Sequence, residues 1–295
     1  MSHVLNLIAN PVSRGLTPAL ANAACVAVGG KSVDWLGEGT ACDIALPADI
    51  EPSMARDKAR IALGTAAVDA NVIATANRRK KLLIADMDST LIGQECIDEL
   101  GDVLGIKPQI AAITDRSMRG ELPFEAALRE RVALLKGVTR QQIDHLVAER
   151  ITLTPGARAA VQTMRRNGAY TAIVSGGFTL FTAHVAAQLG MHEHRSNELL
   201  FNGNVLAGAV AEPILGRDAK RATLLELVAA HGLTVLDALA VGDGANDLAM
   251  IREAGLGVAF RAKPIVAAEA DAWISHNDLT PLLYLQGYRQ DEISE

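Results

Sequence analysis

Five short apolar runs, at 82–85, 170–174, 238–241, 257–260 and 272–274, carry no polar alternation. A strand with one wet face alternates, whereas a strand buried on both faces does not, and the second kind belongs to parallel sheets covered by helices. Helical patterns lie between the runs, at 156–167, 179–189, 219–231 and 246–254. This succession predicts an α/β fold with a doubly wound parallel sheet. Aromatic residues make up only 3% of the chain, so Ala, Val, Leu and Ile must fill its core.

The gap between the first two runs is too long for one crossover. Residues 92–150 read as a helical insertion, with helices at 94–104, 108–119, 123–135 and 140–150. An insertion after the first strand lands above the carboxyl ends of the strands, where ligands bind in such sheets, so it is expected to act as a cap. Residues 1–77 read separately. Strands at 3–9, 32–36, 41–46 and 69–74 and helices at 17–28 and 54–65 give the order βαββαβ, an α+β ferredoxin-like unit. Residues 78–295 then hold the sheet and its cap. The basic run 77–81 is expected to be a solvated linker. Asn202-Gly203 predicts a hairpin within 199–206, either a flap near the site or a purely structural ribbon.

Polar clusters follow three of the buried runs. The first leads into Asp86-Met87-Asp88-Ser89-Thr90, the second into Ser175-Gly176-Gly177, and the third into Gly242-Asp243-Gly244-Ala245-Asn246-Asp247. Parallel strands bring these clusters to one edge of the sheet, and Lys220 opens the helix before the third run. An aspartate is ionised at neutral pH and attacks phosphorus without a base, which makes Asp86 the expected nucleophile. A second carboxyl group beside it, kept protonated by its neighbours, can protonate an alkoxide leaving group and later activate water. That role falls to Asp88. Several carboxylates facing an anionic substrate call for a hard cation, and Mg2+ suits carboxylate, carbonyl and phosphate oxygens. Asp86 and Asp243 are the expected side-chain ligands, the Asp88 main-chain carbonyl is the third, and Asp247 orients them or binds through water. The Ser175 hydroxyl, the N–H groups beside Gly176 and Gly177, and the Lys220 ammonium are expected to hold the phosphate oxygens.

Each piece has an ordinary alternative. Asp-x-Asp is often a helix cap, Ser-Gly-Gly a turn and a single lysine a solvated charge. The ordered set after buried strands is what argues for a site.

With these motifs in place, the chain resembles the haloacid dehalogenase superfamily and, within it, the phosphoserine phosphatase family, over about residues 80–290. The likeness rests on Asp86 to Leu91, Val174 to Phe178, Lys220 and Val241 to Asp247. It implies an Mg2+-dependent phosphatase that hydrolyses O-phospho-L-serine to L-serine and phosphate through an aspartyl-phosphate on Asp86, the last step of serine biosynthesis. It also implies a part for Asn246 in holding the active-site loop and the substrate phosphate. An amino-acid substrate needs an anion for its ammonium and a cation for its carboxylate. Glu95 and Arg131 match the family pattern in those places, with Met118 and Phe124 closing the pocket. Taken alone, Glu95 could equally answer a helix dipole, and Phe124 or Met118 could be core. Another small phosphate such as phosphohomoserine, or a vestigial phosphatase serving as an amino-acid-binding regulatory protein, are the competing readings. The first 77 residues resemble amino-acid-binding regulatory domains of the ACT type, but their 10–15 loop lacks the usual acidic residue before its glycine.

The 295 residues carry a net charge of −6, which argues against a nucleic-acid partner. No apolar stretch is long enough for a membrane span, so no membrane partner is expected. Three scattered cysteines, Cys25, Cys42 and Cys96, form neither a disulfide framework nor a zinc pattern, and predict a cytoplasmic protein. The expected partners are a small-molecule substrate and a second copy joined through the first 77 residues.

Overall fold

The computed structural model describes residues 2–119 and 121–294. Its first unit runs β1 (His3–Ala9), α1 (Pro18–Ala27), β2 (Val33–Gly37), β3 (Ala41–Ala45), α2 (Pro52–Leu63) and β4 (Val68–Ala74). The strands pair antiparallel in the order β2-β3-β1-β4, the ferredoxin-like arrangement that the element order predicts. Thr17 caps α1, its side chain accepting the Leu20 N–H at 3.3 Å, and Pro18 occupies the first turn, where its missing N–H costs nothing.

The chain continues through β5 (Leu82–Ala85), then α3 (Cys96–Val103), α4 (Lys107–Met118), α5 (Phe124–Leu134), α6 (Arg140–Arg150) and α7 (Ala157–Arg166). Next come β6 (Tyr170–Phe178), α8 (Thr179–Leu189), β7 (Glu193–Asn197), the hairpin β8 (Leu199–Asn202) and β9 (Val205–Val210), and α9 (Arg217–Ala230). The last elements are β10 (Ala238–Gly242), α10 (Leu248–Glu253), β11 (Leu256–Phe260), α11 (Pro264–Ala267), β12 (Ala272–Ile274) and α12 (Pro281–Leu285).

Six strands make one sheet in the order β12-β11-β10-β5-β6-β7, parallel throughout. Five of them coincide with the apolar runs. The sixth, β7, reads Glu-His-Arg-Ser-Asn and sits at the sheet edge, where one flank faces no neighbour and polar residues are tolerated. It therefore has no apolar signature. The chain leaves β5 for β6 on one side and returns to β10 on the other, so β5 is the point where the winding reverses.

Helices α3 to α6 form the insertion. It leaves and re-enters the sheet domain at one place, where Ile92 and Leu153 make an antiparallel bridge. The Gly93 N–H donates to Thr152 O at 3.2 Å and the Thr154 N–H to Leu91 O at 2.9 Å. The β8–β9 hairpin docks on this insertion rather than standing free. Gly137 N–H donates to Leu206 O (3.0 Å), Leu206 N–H to Val138 O (2.8 Å) and Arg140 N–H to Asn204 O (2.8 Å).

The first unit is joined to the second over a full sheet face. Strand alternation turns Leu5, Leu7 and Ala9 into the core beneath α1 and α2, and Val4 and Ile8 into the core of the six-stranded sheet. Asp69 and Asn71 on that second face are buried and matched. Asp69 accepts from the main-chain N–H of Ser275 (3.0 Å) and from Asn277 Nδ2 (2.6 Å). Asn71 pairs with both main-chain groups of Trp273, its Oδ1 accepting the N–H at 2.9 Å and its Nδ2 donating to the carbonyl at 3.0 Å. Asn71 thereby closes the free edge of β12.

The run 77–81 corrects the expectation of a solvated linker. Arg78 is bound by Asp43 at 2.5 Å and donates to the carbonyls of Tyr284 and Leu285, while Lys80 is buried and donates to the carbonyls of Asn77 and Leu236. These two residues reach into the seam between the units, where main-chain carbonyls need donors, while Asn77, Arg79 and Lys81 are exposed as expected.

Asn71→Ala should cost about 1–3 kcal/mol for each Trp273 group left unpaired in the seam. Equilibrium urea unfolding reads the loss, and a change within error would show that water replaces the amide. Among the described residues no helix is long and apolar enough to cross a membrane.

Candidate active site

β5 delivers Asp86 at the carboxyl edge of the sheet, with β10 and β6 on its two sides. The main chain then makes a wide turn over Met87–Leu91, closed by the Ile92 N–H on Met87 O at 3.1 Å. Asp88 is extended within it (φ −63°, ψ 136°), and Ser89 adopts φ +54°. A serine in the left-handed region is uncommon and marks a backbone held by its surroundings. The turn brings the carboxyl groups of Asp86 and Asp88 onto one cavity.

Behind Asp86 lies a buried charge network. Lys220, on the first turn of α9 and only 1% exposed, places its Nζ 2.8 Å from Asp86 Oδ1 and 2.6 Å from Asp247 Oδ1. Asp247 also accepts the Gly244 N–H at 3.0 Å. A Cβ on Gly242 would fall on the Asp247 carboxylate, so only glycine lets that side chain fold back beneath the loop. Asp243 accepts from Thr90 Oγ1 at 3.3 Å.

Burial first, and the Asp247 charge second, hold the Asp86 carboxyl well above the usual range, and Lys220 pulls it back. Burial opposes the Lys220 charge, but Asp247 and Asp86 outweigh it and keep the ammonium protonated. Asp88 is pushed up to about 7 by burial and then by the Glu95 carboxylate. Asp243 is raised to about 6, by burial and then by Asp247.

The Ser-Gly-Gly segment lies inside β6 rather than after it. Pairing with β7 passes from Val174↔Arg195 directly to Phe178↔Asn197, four residues on one strand against two on the other. The two extra residues form a bulge that turns the backbone out of the ladder and towards the site. Ser175 is 1% exposed, and its Oγ accepts the Gly177 N–H at 2.9 Å. A Cβ on Gly177 would come within 3.1 Å of both Asp88 Oδ2 and Ser175 Oγ, which explains the glycine.

The insertion closes the site from above. Phe124, Leu128 and Arg131 stand at i, i+4 and i+7 on α5 and share a face. They line a cavity of about 150 Å³ together with Asp86, Asp88, Glu95, Ser175, Gly176, Asp243 and Asn246. Burial lowers the Arg131 pKa, and Asp98 and then Glu95 raise it. Its Nη1 donates to Thr114 Oγ1 at 3.2 Å. Ser89 Oγ donates to Glu95 Oε1 at 2.6 Å.

Of the residues expected from sequence, ten line this cavity, Gly177 among them. Lys220 and Asp247 stand behind Asp86. The Met118 side chain, at the end of α4, lies outside the described residues. Sequence reasoning missed Thr90, Ile97, Thr114 and Asn197, for no spacing to the catalytic motifs singles these residues out. Thr90 alone had a signal, its place inside the aspartate motif.

Asp86, Asp243 and Asp247 each bring a carboxylate oxygen within 4.8 Å of the others. The residues fit a divalent cation. Three carboxylates converge at this spacing, and Lys220 is engaged with only two of them, which leaves Asp243 for a hard cation to neutralise. The side chain of Asp88 stands outside this cluster, so its part in a metal site would be the main-chain carbonyl.

The family model for haloacid dehalogenase-like hydrolases matches residues 83–252. Phosphoserine phosphatase SerB2 of Mycobacterium tuberculosis is 36% identical over 301 residues, covering 99% of this chain and 73% of that protein. A phosphoserine phosphatase from Albidiferax ferrireducens is 46% identical over 210 residues, covering 70% of this chain and 89% of that one. The crystal structure of a HAD family hydrolase from Salmonella enterica serovar Typhi superposes with a TM-score of 0.85 at 29% identity, covering 96% of this chain and 98% of its own. The chain belongs to the haloacid dehalogenase-like hydrolases and, within them, to the phosphoserine phosphatase family.

Proposed function

We propose that this protein hydrolyses O-phospho-L-serine to L-serine and phosphate, with Asp86 as nucleophile. The observation that carries the reading is the pairing within one small cavity of Asp86 and Asp88 below with Arg131 and Glu95 above.

Asp86 attacks phosphorus, and the serine oxygen leaves with a proton from Asp88. A carboxyl group poised near 7 can give that proton and then take one from the water that attacks the aspartyl-phosphate. The Ser175 hydroxyl and the Gly176 N–H hold the phosphoryl oxygens. Lys220 favours the ionised form of Asp86 and aims it, and its charge reaches the phosphoryl group from behind. Asn246 lines the cavity wall beside Asp243, in reach of the substrate phosphate. Mg2+ on Asp86, Asp243 and the Asp88 carbonyl, with Asp247 behind them, would supply charge neutralisation for the phosphoryl transfer. Arg131 pairs with the substrate carboxylate, Glu95 takes its ammonium, and Phe124 keeps water out.

Residues 1–77 and 78–295, with the cap at about 92–150, are taken as the working parts. The second sheet face of the first unit is buried against the phosphatase sheet. A homodimer through that unit would therefore use the outer face of α1 and α2, where Val26 and Ile61 are 80% and 81% exposed. A cytoplasmic setting accords with three unpaired buried cysteines.

Phosphate release from phosphoserine, measured with Mg2+ and after chelation, tests the reading. Arg131→Ala should raise KM for phosphoserine roughly 10–100-fold, the worth of a hydrogen bond to a charged group. It should leave hydrolysis of p-nitrophenyl phosphate, which has no carboxylate, little changed. Turnover that survives chelation, or a faster reaction on phosphohomoserine, would overturn metal dependence or substrate respectively.

A further inference from the structure

One buried polar residue near the site has no part in the chemistry above. Asn197, the last residue of β7, is 3% exposed, and its amide bonds only to main chain. Nδ2 donates to Gly176 O at 2.9 Å and to Leu215 O at 3.4 Å, and Oδ1 accepts the Leu215 N–H at 2.7 Å. Those partners belong to two segments that must meet at the phosphoryl group. Gly176 is in the β6 bulge, and Leu215 stands just before α9, which carries Lys220.

A bulge leaves main-chain groups that no ladder fixes. The Gly176 carbonyl is such a group, and it shares a planar trans peptide with the Gly177 N–H, so the two point in opposite directions. Holding the carbonyl outward on Asn197 turns the N–H inward, where it donates to Ser175 Oγ at 2.9 Å. With that lone pair occupied, the serine O–H is free to donate to a phosphate oxygen. The β8–β9 hairpin begins just beyond Asn197 and is bonded to the cap, so Asn197 ties the root of that hairpin to the bulge.

We infer that Asn197 is a positioning residue for phosphoryl transfer: through the Gly176–Gly177 peptide it aims the Ser175 hydroxyl, and through Leu215 it keeps the bulge in register with the start of α9. The inference rests on the reading of Ser175 as a phosphate donor. Only an amide satisfies both segments. Aspartate keeps an acceptor for the Leu215 N–H but sets an oxygen against the Gly176 carbonyl, and alanine keeps neither bond.

The test uses full-length Asn197→Asp and Asn197→Ala, checked by thermal unfolding, with steady-state kinetics on phosphoserine and product inhibition by inorganic phosphate and by L-serine. The expected result is a fall in kcat of about 100-fold, the usual effect of misplacing a reacting group by an ångström. Inhibition by phosphate should weaken and inhibition by L-serine should hold. In a Ser175→Ala background the further loss from Asn197→Ala should be far smaller, because one acts through the other. A kcat within about twofold of wild type, equal weakening of both inhibitors, or additive losses would overturn the inference. If alanine prevents folding, the near-isosteric aspartate decides by the same readings, and failure of both to fold would assign Asn197 to the fold and overturn it. A wild-type protein inactive on phosphoserine would instead defeat the proposed function.

Discussion

Asn in place of Asp86 lowers kcat on phosphoserine by on the order of 10⁵-fold, the scale on which removing a nucleophile acts when the rest of a site cannot substitute. The protein should remain folded. An amide oxygen can still accept the Met87 N–H, now 2.7 Å from Asp86 Oδ1, and can still face Lys220. Asp247 continues to neutralise the ammonium at 2.6 Å. Burial already holds the Asp86 carboxyl above its usual range, so replacing it with a neutral isostere relieves a cost. Stability should change by no more than about 1 kcal/mol. Single-turnover assays should find no acid-stable but base-labile phosphoprotein in the variant. Retention of about a tenth of wild-type activity would remove Asp86 from the nucleophile's role.

Lys220→Met is expected to fail in both activity and stability. The side chain is 1% exposed and its ammonium touches Asp86 and Asp247 alike. Methionine fills the space but leaves two carboxylates facing each other without a counter-charge. Removing one partner of a buried pair costs about 3–5 kcal/mol, enough to lower a melting temperature by many degrees. The pH dependence has a definite sign. The folded-state pKa of Asp86 is raised, so the stability it contributes is full below the unfolded carboxylate range and is lost as pH rises through the folded-state pKa. Lys220 lowers the Asp86 pKa in the wild type, so the variant holds it higher still. The deficit relative to wild type should be largest near neutral pH and shrink as pH falls. Urea unfolding across pH reads this directly, and a deficit that grows towards acid would disprove the charge network. Added Mg2+ should recover part of the lost stability, since a cation can neutralise the same carboxylates.

Much of this was legible in the chain because burial leaves a periodic mark. The runs at 82–85 and 272–274 coincide with β5 and β12 residue for residue, since both lie between helical layers and admit nothing polar. The carboxylates after β5 and β10 could be placed together before any coordinates, as parallel strands must end on one edge. β7 escaped notice because an edge strand half-open to water carries Glu, His, Arg and Ser as readily as valine. The bulge in β6 escaped because Ser-Gly-Gly fits an ordinary turn equally well.

Sequence by itself determined the sheet, the insertion above it and the aspartates that meet there, since hydrophobic period and strand polarity are local properties that constrain where chain ends point. Only the tertiary structure decided that Lys220 stands between Asp86 and Asp247, that Asn197 grips both Gly176 and Leu215, and that Asp69 and Asn71 seal the first unit to β12. Those bonds join residues 18 to more than 200 positions apart. A polar side chain in sequence shows its capacity for hydrogen bonds but not its partner, which is set by the desolvation that packing imposes from every side at once.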